Sequence, residues 1–256
     1  MASRRFDELR FPDIERRVRP GGILLLPIGA IEQHGPHLPL VTDLLLAEAT
    51  ATAVVNRVGE EFDVWQLPAL AYSKSNEHAW AAGSLWLNPT TLLAVLDDIG
   101  RSLAPLASKK LVFMNGHGGN SALLSVACRE LRLRHGLETF LTHPATPPDQ
   151  GGASTEVEQG MGIHAGLHET AMVLHLRPDL VDMTEARRNL PEHLASNRHV
   201  RFGGSVPFGW LANDFGPDGH IGDPTGATAE LGKELFEAAV TLVSEQLGEV
   251  SRFRFR

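Results

Sequence analysis

Residues 22–28, GILLLPI, are a continuous apolar run that stops at a loop crowded with ionisable groups, GAIEQHGPHLPLVTD. So short an apolar run, bounded by turn signals, reads as a strand covered on both faces, which is the habit of parallel sheets between helical layers. The segments that follow agree with this. Asp43 opens a helical stretch over 44–58, and the acid is well placed for a helix N-terminus. A second strand is expected from Asp63 to Ala71, weakened by Pro68, and Asn88 with Pro89 starts a helix reaching about Leu106. Lys110 to Met114 is the third strand, Ser121 to His135 a helix, and Glu138 to His143 the fourth strand. This alternation predicts an α/β fold, a three-layer α/β/α sandwich with a mostly parallel sheet. Beyond it come a long loop from Pro144 to Gly162, a segment from His164 to Leu176 that turns helical in its second half, and an amphipathic helix from Ala227 to Leu247. No repeat or compositional break divides residues 1–256, so a single domain is expected.

Composition narrows the function classes. The 43% hydrophobic content over 256 residues suffices for a sizeable core. A net charge of -8 argues against a general nucleic-acid binder, which needs basic patches. No stretch approaches the ~20 apolar residues of a membrane span, and the charged amino terminus does not resemble a secretory signal. The expected compartment is the cytoplasm. The one cysteine, Cys128, has no internal disulfide partner and reads as a buried structural thiol.

Ligands of open parallel sheets bind beyond the carboxyl ends of the strands, where the loops after the first and third strands both fall. Topology therefore gathers Glu32, His34, Asp43 and His117 at one rim. Glu32 and His34 are two apart, so on an extended backbone their side chains point the same way. Carboxylate, imidazole and carboxylate suit zinc, manganese or iron, and Asp43 has two oxygens with which to bridge a metal pair. A capping aspartate beside solvated His and Glu side chains would explain each residue singly, but the three together less well. Glu169, beside His164 and His168, supplies a further carboxylate at a helix start. Glu77 and His78, consecutive in a loop after a strand, and the aromatic Trp80 and Trp210 are candidates for contacts with substrate. The loop NGHGGN has a rival reading, a dinucleotide-phosphate turn using Gly116 and Gly118, but Ser121 stands where the third glycine belongs. A metal-binding protein without catalysis is another reading.

The segments GAIEQHGPHLPLVTD, NGHGGN, HAGLHET and GDPTGATAELG occur in this order in the creatininase family, and the resemblance runs from about Pro27 to Gly232. It implies a creatininase-like fold, a dinuclear metal site that hydrolyses an amide C–N bond, and a homohexamer built as a trimer of dimers. Carried across, Glu32 and His117 resemble ligands of one metal, His34 of the other, and Asp43 the bridge. Creatininase proper has an acidic ligand where Gly119 stands here, and the glutamate of HAGxxET, Glu169, is the replacement this implies. Creatinine itself is then a less apt substrate. Mycofactocin precursor peptidases read closer to HAGRTETS, from which Leu167, His168 and Ala171 depart. The expected chemistry is attack of a metal-bridging hydroxide on the carbonyl of a small amide, cyclic amide or formamide, with His164 protonating the leaving nitrogen. A mycofactocin-type precursor peptidase is the alternative within the family.

Overall fold

The computed structural model describes residues 3–144 and 156–256. Four strands, β1 (Ile23–Ile28), β2 (Val64–Gln66), β3 (Lys110–Asn115) and β4 (Glu138–Thr142), form one wholly parallel sheet in the order β2-β1-β3-β4. Ile23 pairs with Lys110 and Ile28 with Asn115, while Ile23 also pairs with Val64 on the opposite edge. The chain leaves β1 toward one side and β3 toward the other, so the strand order reverses between these two neighbours. Their carboxyl ends open the crevice in which such sheets bind ligands.

Alternation along each strand divides the core in two. Leu24, Leu26, Ile28, Leu111 and Phe113 face a layer containing α3 (Pro89–Leu103) and α4 (Ser121–His135), through Leu92, Leu96, Leu124 and Leu131. Ile23, Leu25, Val112 and Met114 face α2 (Thr42–Val58) and α6 (Ala229–Arg252), through Val54, Val240, Val243 and Leu247. The three expected layers are present. Two further helices are α1 (Phe11–Arg17), which the sequence reading did not anticipate, and α5 (Leu167–Leu176). Among the described residues, no helix is long and apolar enough to cross a membrane.

Boundaries differ from expectation where proline or capping decides them. β2 stops at Gln66 because Pro68 has no N–H for the ladder; the chain nevertheless stays alongside β1, with the Leu67 and Leu70 N–H groups donating to the Leu25 and Pro27 carbonyls. α3 ends at Leu103, short of Leu106, because Pro105 cannot donate to the carbonyl four residues earlier. α6 starts two residues late, where Thr228 Oγ1 accepts from the Leu231 N–H at 3.1 Å, and runs on to Arg252. Of the loop expected from Pro144 to Gly162, residues 145–155 lie outside the described residues.

Candidate metal centre

Glu32, His34, Asp43, His117 and Glu169 converge beyond β1 and β3, and the first three are at most 2% exposed. Three ligand groups form among the described residues, Glu32–His34–His164, Glu32–Asp43–His117 and His34–Asp43–Glu169, each with its donor atoms within 4.8 Å of one another. Asp43 is common to the second and third groups. Its helix begins at Thr42, so Asp43 sits in the first turn of α2 without capping it; the carboxylate turns instead to His34 Nε2 and His117 Nδ1, both 3.0 Å away.

Neighbours orient each donor. His34 Nδ1 lies 3.1 Å from the Glu32 carbonyl, which can only accept, so in the neutral ring the proton sits on Nδ1 and Nε2 is left facing Asp43. His117 Nε2 donates to the Lys74 carbonyl at 2.8 Å, which turns Nδ1 toward Glu32 Oε2 at 3.3 Å. Ser75 Oγ donates to Glu32 Oε2 at 2.5 Å. His164 Nε2 donates to the Gln33 carbonyl at 2.7 Å, leaving Nδ1 3.7 Å from Glu32 Oε1. The Glu169 carboxylate accepts from the Ala165 N–H at 2.6 Å, and Ala165 holds a left-handed φ of 52°, uncommon for a residue with a Cβ. Such outer partners are how proteins set the tautomer and aim of metal-binding side chains.

Electrostatics reflect crowded opposite charges. Burial opposes charge on His34, but Asp43, together with Glu169 and Glu32, outweighs it and raises the imidazole to about 9. His117 is raised well above the usual range against the same burial, by Glu32 and Asp43. Burial works against the Asp43 carboxylate as well, yet His34 and His117 hold it well below the ordinary range. His164 goes the other way, lowered by burial and by His34 and His78. Burial pushes Glu169 up to about 7, with His34 opposing and Asp43 reinforcing.

These residues fit a divalent metal pair. The ion partners of Glu32 and Asp43 among the described residues are all imidazoles, with no lysine or arginine among them. Glu32 Oε1 and Asp43 Oδ2 are buried with no hydrogen-bond partner, a costly state for carboxylate oxygens that a cation would relieve.

The centre forms the floor of a cavity of about 610 Å³. Glu77, His78 and Trp210 line it, as does His168. Trp80 is not part of that lining; its ring packs beside Gly219 and Gln33 and is 42% exposed. Lys74, Ser75 and Gln33 are functional neighbours that the sequence reading missed. The first two precede Glu77 in the same post-strand loop, a signal that was available, whereas Gln33 reads only as the residue between two ligands. Two of the three glycines of NGHGGN, Gly116 and Gly119, have packing roles. A Cβ on Gly116 would fall 2.3 Å from the Asp43 carbonyl and one on Gly119 1.9 Å from Glu77 Oε1, so an acidic side chain occupies the hollow where a phosphate turn would need open space.

The family model for creatininase (creatinine amidohydrolase) matches residues 7–247. A mycofactocin precursor peptide peptidase of Mycobacterium ulcerans is 37% identical over 226 residues, 85% of this chain and 81% of that protein. A creatinine amidohydrolase of Pseudomonas putida is 34% identical over 199 residues, 69% of this chain and 73% of that protein. Two solved creatininases, a mutant of the Zn-Zn type and a Mn form, each align at a TM-score of 0.74, with 27% and 26% identity, across 97% of this chain and 98% of theirs. The family match over residues 7–247, the identity to these relatives and the shared fold agree, and the chain belongs to the creatininase family of hydrolases.

Proposed function

We propose that the protein is a dinuclear metal-dependent amidohydrolase that cleaves an amide C–N bond. The observation that carries this reading is the double membership of Asp43, a buried carboxylate common to Glu32–Asp43–His117 and His34–Asp43–Glu169. Glu32, His117 and Asp43 would hold one ion, and His34, Asp43 and Glu169 the other. Zinc or manganese is the assignment, by similarity to the solved relatives. Bound there, a metal pair supplies Lewis acidity toward the substrate carbonyl and an acidified water for attack.

The chain's own residues do the rest. Ser75 and the Glu32 carbonyl fix the Glu32 and His34 side chains, so little reorganisation is needed on binding. His164 has committed its Nε2–H to Gln33, so its unprotonated Nδ1 is the atom that would first take a proton from the attacking water and then pass it to the departing nitrogen. Trp210 and His78 line the cavity around the floor and would shape it around the acyl and amine portions.

Two substrate readings follow. The first is a small amide, cyclic amide or formamide. The second is the peptide bond of a precursor peptide, favoured by the higher identity to the mycofactocin peptidases, 37% over 85% of the chain. Metal analysis of the purified protein before and after chelation tests the centre, with about two ions per chain expected; none at all would refute it. Screening cyclic ureas, formamides and short peptides for products by mass spectrometry decides between the two substrate classes.

A further inference from the structure

Glu77 stands in the cavity wall but in none of the three ligand groups. The residue is 8% exposed and its carboxylate is gripped from two sides. Lys74 Nζ donates to Oε2 at 2.5 Å, and His117 Nε2 lies 3.4 Å from Oε1. Both partners meet over Gly119: a Cβ on that glycine would fall 1.9 Å from Glu77 Oε1 and 2.4 Å from His117 Nε2. The space a side chain would take at residue 119 is therefore the space in which carboxylate and imidazole come together. That is a physical reason for glycine at this position, independent of backbone conformation.

The opposite edge of the same ring faces the centre, with Nδ1 3.0 Å from Asp43 Oδ2 and 3.3 Å from Glu32 Oε2. The Lys74 carbonyl already fixes the Nε2–H tautomer, and the Glu77 charge lies just beyond it. An anion behind a metal-binding imidazole raises the basicity of the nitrogen in front and holds the ring plane. We propose that Glu77 is a positioning residue for His117: lodged over Gly119 and clamped by Lys74, its carboxylate holds the ring with Nδ1 presented to Glu32 and Asp43. One loop segment thus supplies the carbonyl, the anion and the cation that set a single ligand. The inference rests on the metal-centre reading above.

The experiment compares zinc binding by the full chain and by Glu77→Gln, an isosteric change that keeps the packing and removes the charge. Affinity is read by competition with a chromophoric chelator, and folding by thermal melting with and without zinc. The expected result is a loss of roughly 10–100-fold in affinity for one of the ions, with the metal-free melting midpoint unchanged and a smaller zinc-induced rise. Lys74→Gln, which keeps both the backbone carbonyl and the Glu77 charge, is expected to weaken zinc binding less than Glu77→Gln. Equal zinc affinity in the parent and Glu77→Gln would overturn the role of Glu77, as would a larger loss in Lys74→Gln. Zinc taken up by neither the parent nor the variants would instead overturn the metal centre itself.

Discussion

At His164 the ring is committed at one nitrogen and free at the other, and the free one faces Glu32 from 3.7 Å across the floor of the cavity. As the proton donor to the leaving group, its replacement in His164→Gln should leave metal content unchanged and lower turnover by roughly 10²–10⁴-fold; metal lost together with activity would make it a ligand. Cys128 gives a second test at this scale. Burial pushes its thiol up to about 11, against a hydrogen bond with Thr139 that favours the thiolate. At pH 8 only about one thiol in 10³ is then ionised, so alkylation of the native protein should be slow and should speed up on unfolding. Cys128 is part-buried rather than fully buried as expected, and rapid labelling at pH 8 without denaturant would contradict its reading as an inert structural thiol. Both residues were legible as candidates from residue type and neighbours. The choice of reacting nitrogen was not, because it depends on a carbonyl 131 residues away.

Two glycines at strand ends set how closely α2 approaches the sheet. A Cβ on Gly29 would fall 2.4 Å from the Leu44 backbone, and one on Gly116 2.3 Å from the Asp43 carbonyl. The first turn of α2, which carries the shared carboxylate, is thus pressed onto the exits of β1 and β3. Gly116→Ala must push that turn away, and it should reduce bound metal and cost roughly 1–3 kcal/mol of stability, read from a urea melt. A variant with full metal content and parental stability would show that the close contact is dispensable. A third close approach ties α5 to α6, where a Cβ on Gly232 would overlap the Ala171 carbonyl; this accounts for the last glycine of GDPTGATAELG. The helices themselves were readable from periodicity and capping residues. Their separations were not, since they depend on which backbone faces each glycine.

For the whole molecule, the centre ties β1, α2, β3 and α5 to one cluster, so ions should stabilise the fold as well as serve catalysis. Chelation is expected to lower the melting midpoint, and readdition of zinc to restore it; at 100 times the dissociation constant the gain is about 2.7 kcal/mol per site. A midpoint indifferent to chelator would separate the cluster from stability. Assembly is the second property at this scale. Tyr72, Leu85 and Trp86 are 52%, 50% and 40% exposed, an apolar surface of the kind covered on association. The expected hexamer would appear at about six protomer masses by light scattering, and a monomer peak alone would refute it.

By itself the sequence determined the layered α/β order, the family, and the identity of the ligand candidates, because apolar runs, proline and capping residues act locally and because Glu32, His34 and Asp43 lie in one continuous segment, residues 32–43. Tertiary structure decided the rest. It placed Glu169 and His117 with Asp43, put Trp80 beside Gly219 and Gln33 with Trp210 on the cavity wall, and set Glu77 over Gly119, all between segments distant along the chain. Local patterns encode which elements form; which side chains meet at the sheet's carboxyl edge depends on how α2, α5 and the post-strand loops pack against it.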